Sequence, residues 1–163
     1  MVMLVVSNYG FAQESELEKK NVQLGLSFST LGGSGIYYLA KPTPTDYFKI
    51  TGIFIYDNGN DTKDSFFSLG AEYQRNLFIN SANRTYAIFG ASFDNSISGD
   101  TFFDESNTDR IFNFGVGMGI DFGSSVKGIV FNTHLTYQYT TEFGDSEFTR
   151  LGLGGGIGVG LNF

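Results

Sequence analysis

From residue 22 onwards, apolar positions alternate with small or polar ones. In RIFNFGVGMGIDF, residues 110–122, Phe112, Phe114, Val116, Met118, Ile120 and Phe122 share one face of an extended chain. Asn113, Gly115, Gly117, Gly119 and Asp121 share the other. A period of two belongs to a strand with one apolar face; an amphipathic helix would repeat every 3.6 residues. Residues 22–29, 65–78, 85–97 and 128–139 repeat the design. Residues 47–56 follow it less cleanly, because Ile53 and Ile55 interrupt the polar row, and residues 35–41 are apolar on both sides. The final segment, RLGLGGGIGVGLNF, has glycine at every second position from Gly152 to Gly160, opposite Leu151, Leu153, Ile157, Val159, Leu161 and Phe163. Together these stretches predict eight strands.

The predicted connections differ in length. Short links fall at 42–46, 80–84 and 123–127, and longer acidic ones at 57–64, 98–109 and 141–147. The LGGSG link between the first two strands is short where a long one is expected. An even number of alternating strands, with short turns at one end and longer loops at the other, is the pattern of a transmembrane barrel.

Alternation alone fits either a soluble barrel, apolar inside, or a membrane barrel, apolar outside. Composition separates the two. Only 17% of the 163 residues are charged, and a water-facing sheet needs more charge than that for solubility and edge protection. The polar face is mostly Gly, Ser, Thr, Asn and Gln, with isolated charges at Lys49, Glu72, Asp94, Asp121 and Arg150. Five glycines in a row suit a narrow lumen, because an eight-stranded barrel is just wide enough for side chains to fill. Tyr86, His134 and Gln138 are expected to occupy the room they leave. The fold class is therefore an all-β, eight-stranded antiparallel up-and-down transmembrane β-barrel. Its lumen charges are expected to pair with one another in a closed core, as buried charges must.

The last strand, with Leu161 and a terminal Phe163, resembles the C-terminal signal by which Gram-negative outer-membrane barrels are recognised by the barrel-assembly machinery. The whole stretch 21–163 resembles the small eight-stranded outer-membrane β-barrel family (OmpA/OmpX-like). The resemblance implies a cell outer membrane location, lipid contact, and Leu161 and Phe163 as assembly residues. It implies no single activity, since the family shares a fold more than a function. The chain has no tryptophan, so the aromatic girdles are expected to use Phe together with Tyr37, Tyr38, Tyr47, Tyr56, Tyr73, Tyr137 and Tyr139.

The N-terminus fits export. MVMLVVSNYGFA, residues 1–12, is apolar and places Gly10 and Ala12 at the −3 and −1 positions of a signal-peptidase site, although no basic residue precedes the apolar run. A polar lead-in, 13–20, separates this expected signal peptide from the barrel, 21–163. A net charge of −7 argues against a nucleic-acid partner.

Candidate chemistry is sparse. His134 is the only histidine and has no serine beside it in sequence, so a lipid-modifying enzyme centred on it is the weakest reading. DNGNDTKD, residues 57–64, fails the calcium-loop pattern, because Gly59 stands at a ligand position and Thr62 where glycine is required. No metal or cofactor is expected. Phe102 and Phe103, beside Asp104 and Glu105, form the most suggestive loop, because exposed aromatic pairs usually bury in a partner or fold back. The sequence thus predicts a non-enzymatic structural or interaction barrel acting through acidic surface loops, including as an accessory subunit of a larger outer-membrane complex. A narrow channel or carrier for a small or hydrophobic solute is the alternative.

Overall fold

The computed structural model describes residues 22–58, 62–80, 82–100, 105–123, 128–144 and 148–163. The expected signal peptide and lead-in lie outside the described residues. Eight strands follow in chain order: β1 (Val22–Ser29), β2 (Gly35–Ala40), β3 (Asp46–Asn58), β4 (Thr62–Ile79), β5 (Asn83–Asp100), β6 (Glu105–Phe122), β7 (Ile129–Phe143) and β8 (Phe148–Asn162). Each pairs antiparallel with its neighbours, and β1 pairs with β8 to close the barrel. Closure leaves no sheet edge wherever the ring is complete, the condition for a β-structure in lipid.

Partners can be traced around the ring from Leu24 through Tyr38, Ile50, Ala71, Ala91, Phe114 and Tyr139 to Leu151. Leu24 itself pairs across the seam with Leu161, ten residues further along β8. That stagger tilts the strands by roughly 40° to the barrel axis. One irregularity, between Asn76 and Phe78, lets β4 bend near its turn.

The apolar rows point outward. Phe28, Ile50, Phe89, Val116, Leu135 and Ile157 are each at least half exposed, whereas Lys49, Glu72, Ser92, Asn113 and Gln138 are buried inside. This inverts a soluble protein and gives the lipid-facing belt of a membrane barrel. The aromatic girdle is smaller than expected. Tyr38, Tyr56, Tyr137 and Tyr139 face outward, but Tyr37 is buried in the lumen and Tyr47 stacks on Arg84 inside. Both stand on the inward parity of their strands, Tyr37 on β2, whose two-sided apolar composition concealed it, and Tyr47 on β3 in the row of Lys49 and Thr51.

The expected long loops are mostly strand. β3 runs to Asn58 and β4 starts at Thr62; β5 and β6 pair as far as Asp100 and Glu105; β7 and β8 leave only 144–147 between them. The ladder needs only backbone groups, so it continues above the lipid, where apolar alternation stops.

The first connection, 30–34, does not project outward. It turns into the lumen, where Leu31 is completely buried against Tyr86 and Ile88. Gly33 makes the turn with φ of +76° and lies against the Gly70 backbone, where a side chain would collide. The short LGGSG link is therefore an internal lid.

Candidate functional site

The lumen below the lid holds a chain of charged and polar groups that crosses the barrel. Arg84 of β5 donates through Nε to Asp121 Oδ2 at 2.8 Å, through Nη2 to Gln74 Oε1 at 2.7 Å and through Nη1 to Asn76 Oδ1 at 3.1 Å. Its guanidinium stacks on the Tyr47 and Tyr86 rings. Gln74 Nε2 donates to Glu72 Oε2 at 2.7 Å, and Glu72 Oε1 accepts from Lys49 Nζ at 2.9 Å. Lys49 Nζ also donates to Ser27 Oγ on β1. Each member sits on the inward parity of its strand, so the alternation that builds the belt also builds this network. Lys49 and Glu72, both 3% exposed, are paired as buried charges must be.

A second network pins the lid. Ser29 Oγ accepts from the Leu31 and Gly32 amides at 3.2 and 2.9 Å and lies 2.8 Å from His134 Nε2. A hydroxyl already accepting twice has its own proton to give, which makes Nε2 the acceptor. Thr30 Oγ1 donates to Gln138 Oε1, the Thr30 carbonyl accepts from Ser92 Oγ, and the Ser34 amide donates to Ser68 Oγ. Gln138, Asn113 and Thr140 interlock above them. The bare face of β8 makes the room: a side chain at Gly156 would meet the His134 ring, at Gly154 Gln138 and Thr30, and at Gly160 the Tyr37 hydroxyl. Tyr86 lies elsewhere, over Gly119 of β6.

The predicted lumen residues divide accordingly. Lys49, Glu72, Asp121 and His134 lie in the core, with Lys49 bonded to Glu72. Asp121 pairs with Arg84, which falls at the end of a segment expected to be a turn. Asp94 is half-buried above the lid, opposite Ser68 on β4. Arg150 is not in the network. It is exposed at the outer end of β8, over the Phe148 ring, because β8 rises past the filled part of the lumen. Phe102, Phe103 and Asp104 lie outside the described residues, and Glu105 opens β6 opposite Asp100. Leu161 and Phe163 face outward at the seam, where the Phe163 amide donates to the Val22 carbonyl.

The serine missing beside His134 in sequence is supplied in space by β1. The pair is not arranged for nucleophilic attack. Ser29 Oγ is occupied by two lid amides, and no side chain among the described residues meets His134 Nδ1, so the orienting third group of a triad is missing.

No family model and no curated protein matches the sequence. Among solved structures, the N-terminal β-barrel domain of Pseudomonas aeruginosa OprF is similar at 15% identity and a TM-score of 0.50, covering 87% of this chain and 95% of that one. Ail, the attachment invasion locus protein of Yersinia pestis, is 13% identical with a TM-score of 0.47, covering 87% and 96%. Neisserial surface protein A is 16% identical with a TM-score of 0.47, covering 87% and 93%. With its lipid-facing belt, closed ring of eight antiparallel strands and the likeness to the OprF barrel, the chain has the fold of a small eight-stranded outer-membrane β-barrel, and the outer membrane is its location.

Proposed function

We propose that this barrel is non-enzymatic and acts at the cell surface through its outer rim, as a structural or interaction protein and in particular as an accessory subunit of a larger outer-membrane complex. The observation that carries the reading is the filled lumen: the Leu31 side chain of the lid is fully buried inside the barrel, with two polar networks around it. A filled lumen disfavours a solute channel, and an occupied Ser29 hydroxyl disfavours hydrolysis. What remains available is the rim, where the segments 57–64, 98–109 and 141–147 carry ten of the 17 acidic residues. A basic or cation-bridged partner suits such a surface. Leu161 and Phe163 are proposed as the residues read by the barrel-assembly machinery.

The experiment is an affinity purification from native outer membranes in mild detergent, beside a Phe102→Ser/Phe103→Ser variant. A stoichiometric co-purifying protein, lost in the variant, is the expected result. A solitary barrel in both samples, with steady single-channel conductance in planar bilayers, would replace this reading with the channel.

A further inference from the structure

Among the described residues, the wall of the barrel is incomplete on one side. The β1–β2 hairpin stops at Ser29 and Gly35, while β3 and β8, which flank it, continue upward. The last β2–β3 pair is Ile36 with Gly52, and the last β1–β8 pair is Ser29 with Gly156, followed only by the Thr30 to Gly155 bonds of the lid. Among the described residues nothing pairs with the β2-facing edge of β3 above Gly52, or with the β1-facing edge of β8 above Gly154. The result is a notch spanning the width of the two missing strands, roughly 14 Å between β3 and β8 at the usual strand spacing.

The notch opens at lipid depth. Past the top of the hairpin, the outward rows continue with Phe54 and Tyr56 on β3 and with Leu153 and Leu151 on β8. Two outward positions on a tilted strand rise roughly 10 Å. Leu153 and Phe54, 76% and 68% exposed, are the most exposed large apolar side chains among the described residues, and they stand on the two free edges. Among the described residues the edges therefore present unpaired N–H and C=O groups inside the apolar belt, where each unsatisfied group costs several kcal/mol and lipid-exposed sheet edges do not occur.

The two edges differ. β8 offers Gly152 and Gly154 inward, whereas β3 is apolar on both faces: Ile53 and Ile55 point in, Phe54 and Tyr56 out. On the inner wall Ile55 sits opposite Phe66 of β4, and all three inward side chains are incompletely covered. Strands buried on both faces read as continuous apolar runs. β2, which covers the lower half of β3, is itself such a strand, with Ile36 and Tyr38 outward and Tyr37 and Leu39 inward.

We infer that the β3 edge at 53–57 is a strand-addition site: an extended segment of about five residues from another outer-membrane polypeptide, apolar on both faces, pairs antiparallel with it in line with β2. Acyl chains cannot occupy the site alone, because they carry no groups to complete the ladder. A second copy cannot reach it. Its own β1–β2 hairpin lies beneath its notch, and two such walls stack roughly 10 Å apart, about twice the spacing of paired strands. The inference rests on the register of the wall and not on the rim contact proposed above, so loss of a partner in the Phe102→Ser/Phe103→Ser variant leaves it unaffected.

The test compares amide hydrogen exchange at 53–57 in native outer-membrane vesicles and in the purified barrel in lipid nanodiscs. Residues 131–135, paired on both sides, serve as reference. Exchange of the amides within 53–57 that point away from β4 should be at least about tenfold slower in the native membrane, with no change in the reference. Equal rates overturn the proposal. So does protection that persists after purification, which assigns the edge to the chain's own residues. A photo-crosslinking analogue at Phe54, with Leu135 as control, identifies the occupant. A discrete protein adduct at Phe54 alone is required; an adduct of twice the chain's mass, or lipid adducts only, also overturns it.

Discussion

Ser29 and His134 lie 105 positions apart in sequence and meet at 2.8 Å between Oγ and Nε2, directly beneath the lid that Ser29 itself holds through the Leu31 and Gly32 amides. The histidine orients the hydroxyl and the hydroxyl holds the turn, so the pair acts as a latch.

Ser29→Ala removes the acceptor of two buried amides, and each orphaned donor costs about 1–3 kcal/mol. The heat-modifiable transition of the purified barrel should move to lower temperature. His134→Ala should move it less, because the Ser29 hydroxyl can still accept both amides. Lipid composition of membranes carrying either variant should match wild type, and a change in phospholipid or lipid A acylation would reinstate an enzymatic role.

The Lys49–Glu72 pair can be separated by a double-mutant cycle. Lys49→Met leaves a buried carboxylate without its cation and should destabilise the barrel by about 3–5 kcal/mol. Adding Glu72→Gln should recover part of that loss, because the remaining amide can still meet Gln74. Additive losses across the cycle would show that the two side chains are not coupled.

The glycine face of β8 is graded. Gly160→Val would drive a side chain into the Tyr37 hydroxyl, and Gly156→Val into the His134 ring. Both should reduce the folded fraction seen by heat-modifiability on gels. Gly152→Ala has nothing within 4 Å of the new methyl and should fold like wild type.

At the turn end of β3, the Tyr73, Thr45 and Thr43 hydroxyls donate to the Asp46 carboxylate, and Arg75 adds an ion pair at 3.0 Å. Asp46→Ala removes the acceptor of all four groups and should lower the heat-modifiable transition, whereas Asp46→Asn, which keeps one acceptor oxygen, should lower it less.

The ring and its facing were legible because the period of two and the poverty of charge both survive without tertiary information. Strand length was not, since apolar alternation marks where lipid begins and ends while the backbone ladder runs on into water. Arg84 was hidden at the end of a turn-like segment, although its even spacing with Tyr86 and Ile88 places it on the inward row. Ile53 and Ile55 looked like errors in a pattern. They are correct for a strand whose two faces and one edge await cover. The lid was the least visible of all, because a five-residue link carries no sign of whether it turns outward or in.

The lid also couples the two ends of the chain in time. The Thr30 amide bonds to the Gly155 carbonyl, and the Thr30 hydroxyl accepts from the Gly155 amide, so the turn of the first hairpin is seated by the last strand. A chain still waiting for β8 has neither its seam nor its seal. Dehydration of the interior is thereby deferred to the final step of assembly, and until then the charged side chains of the lumen remain solvated while they find their partners.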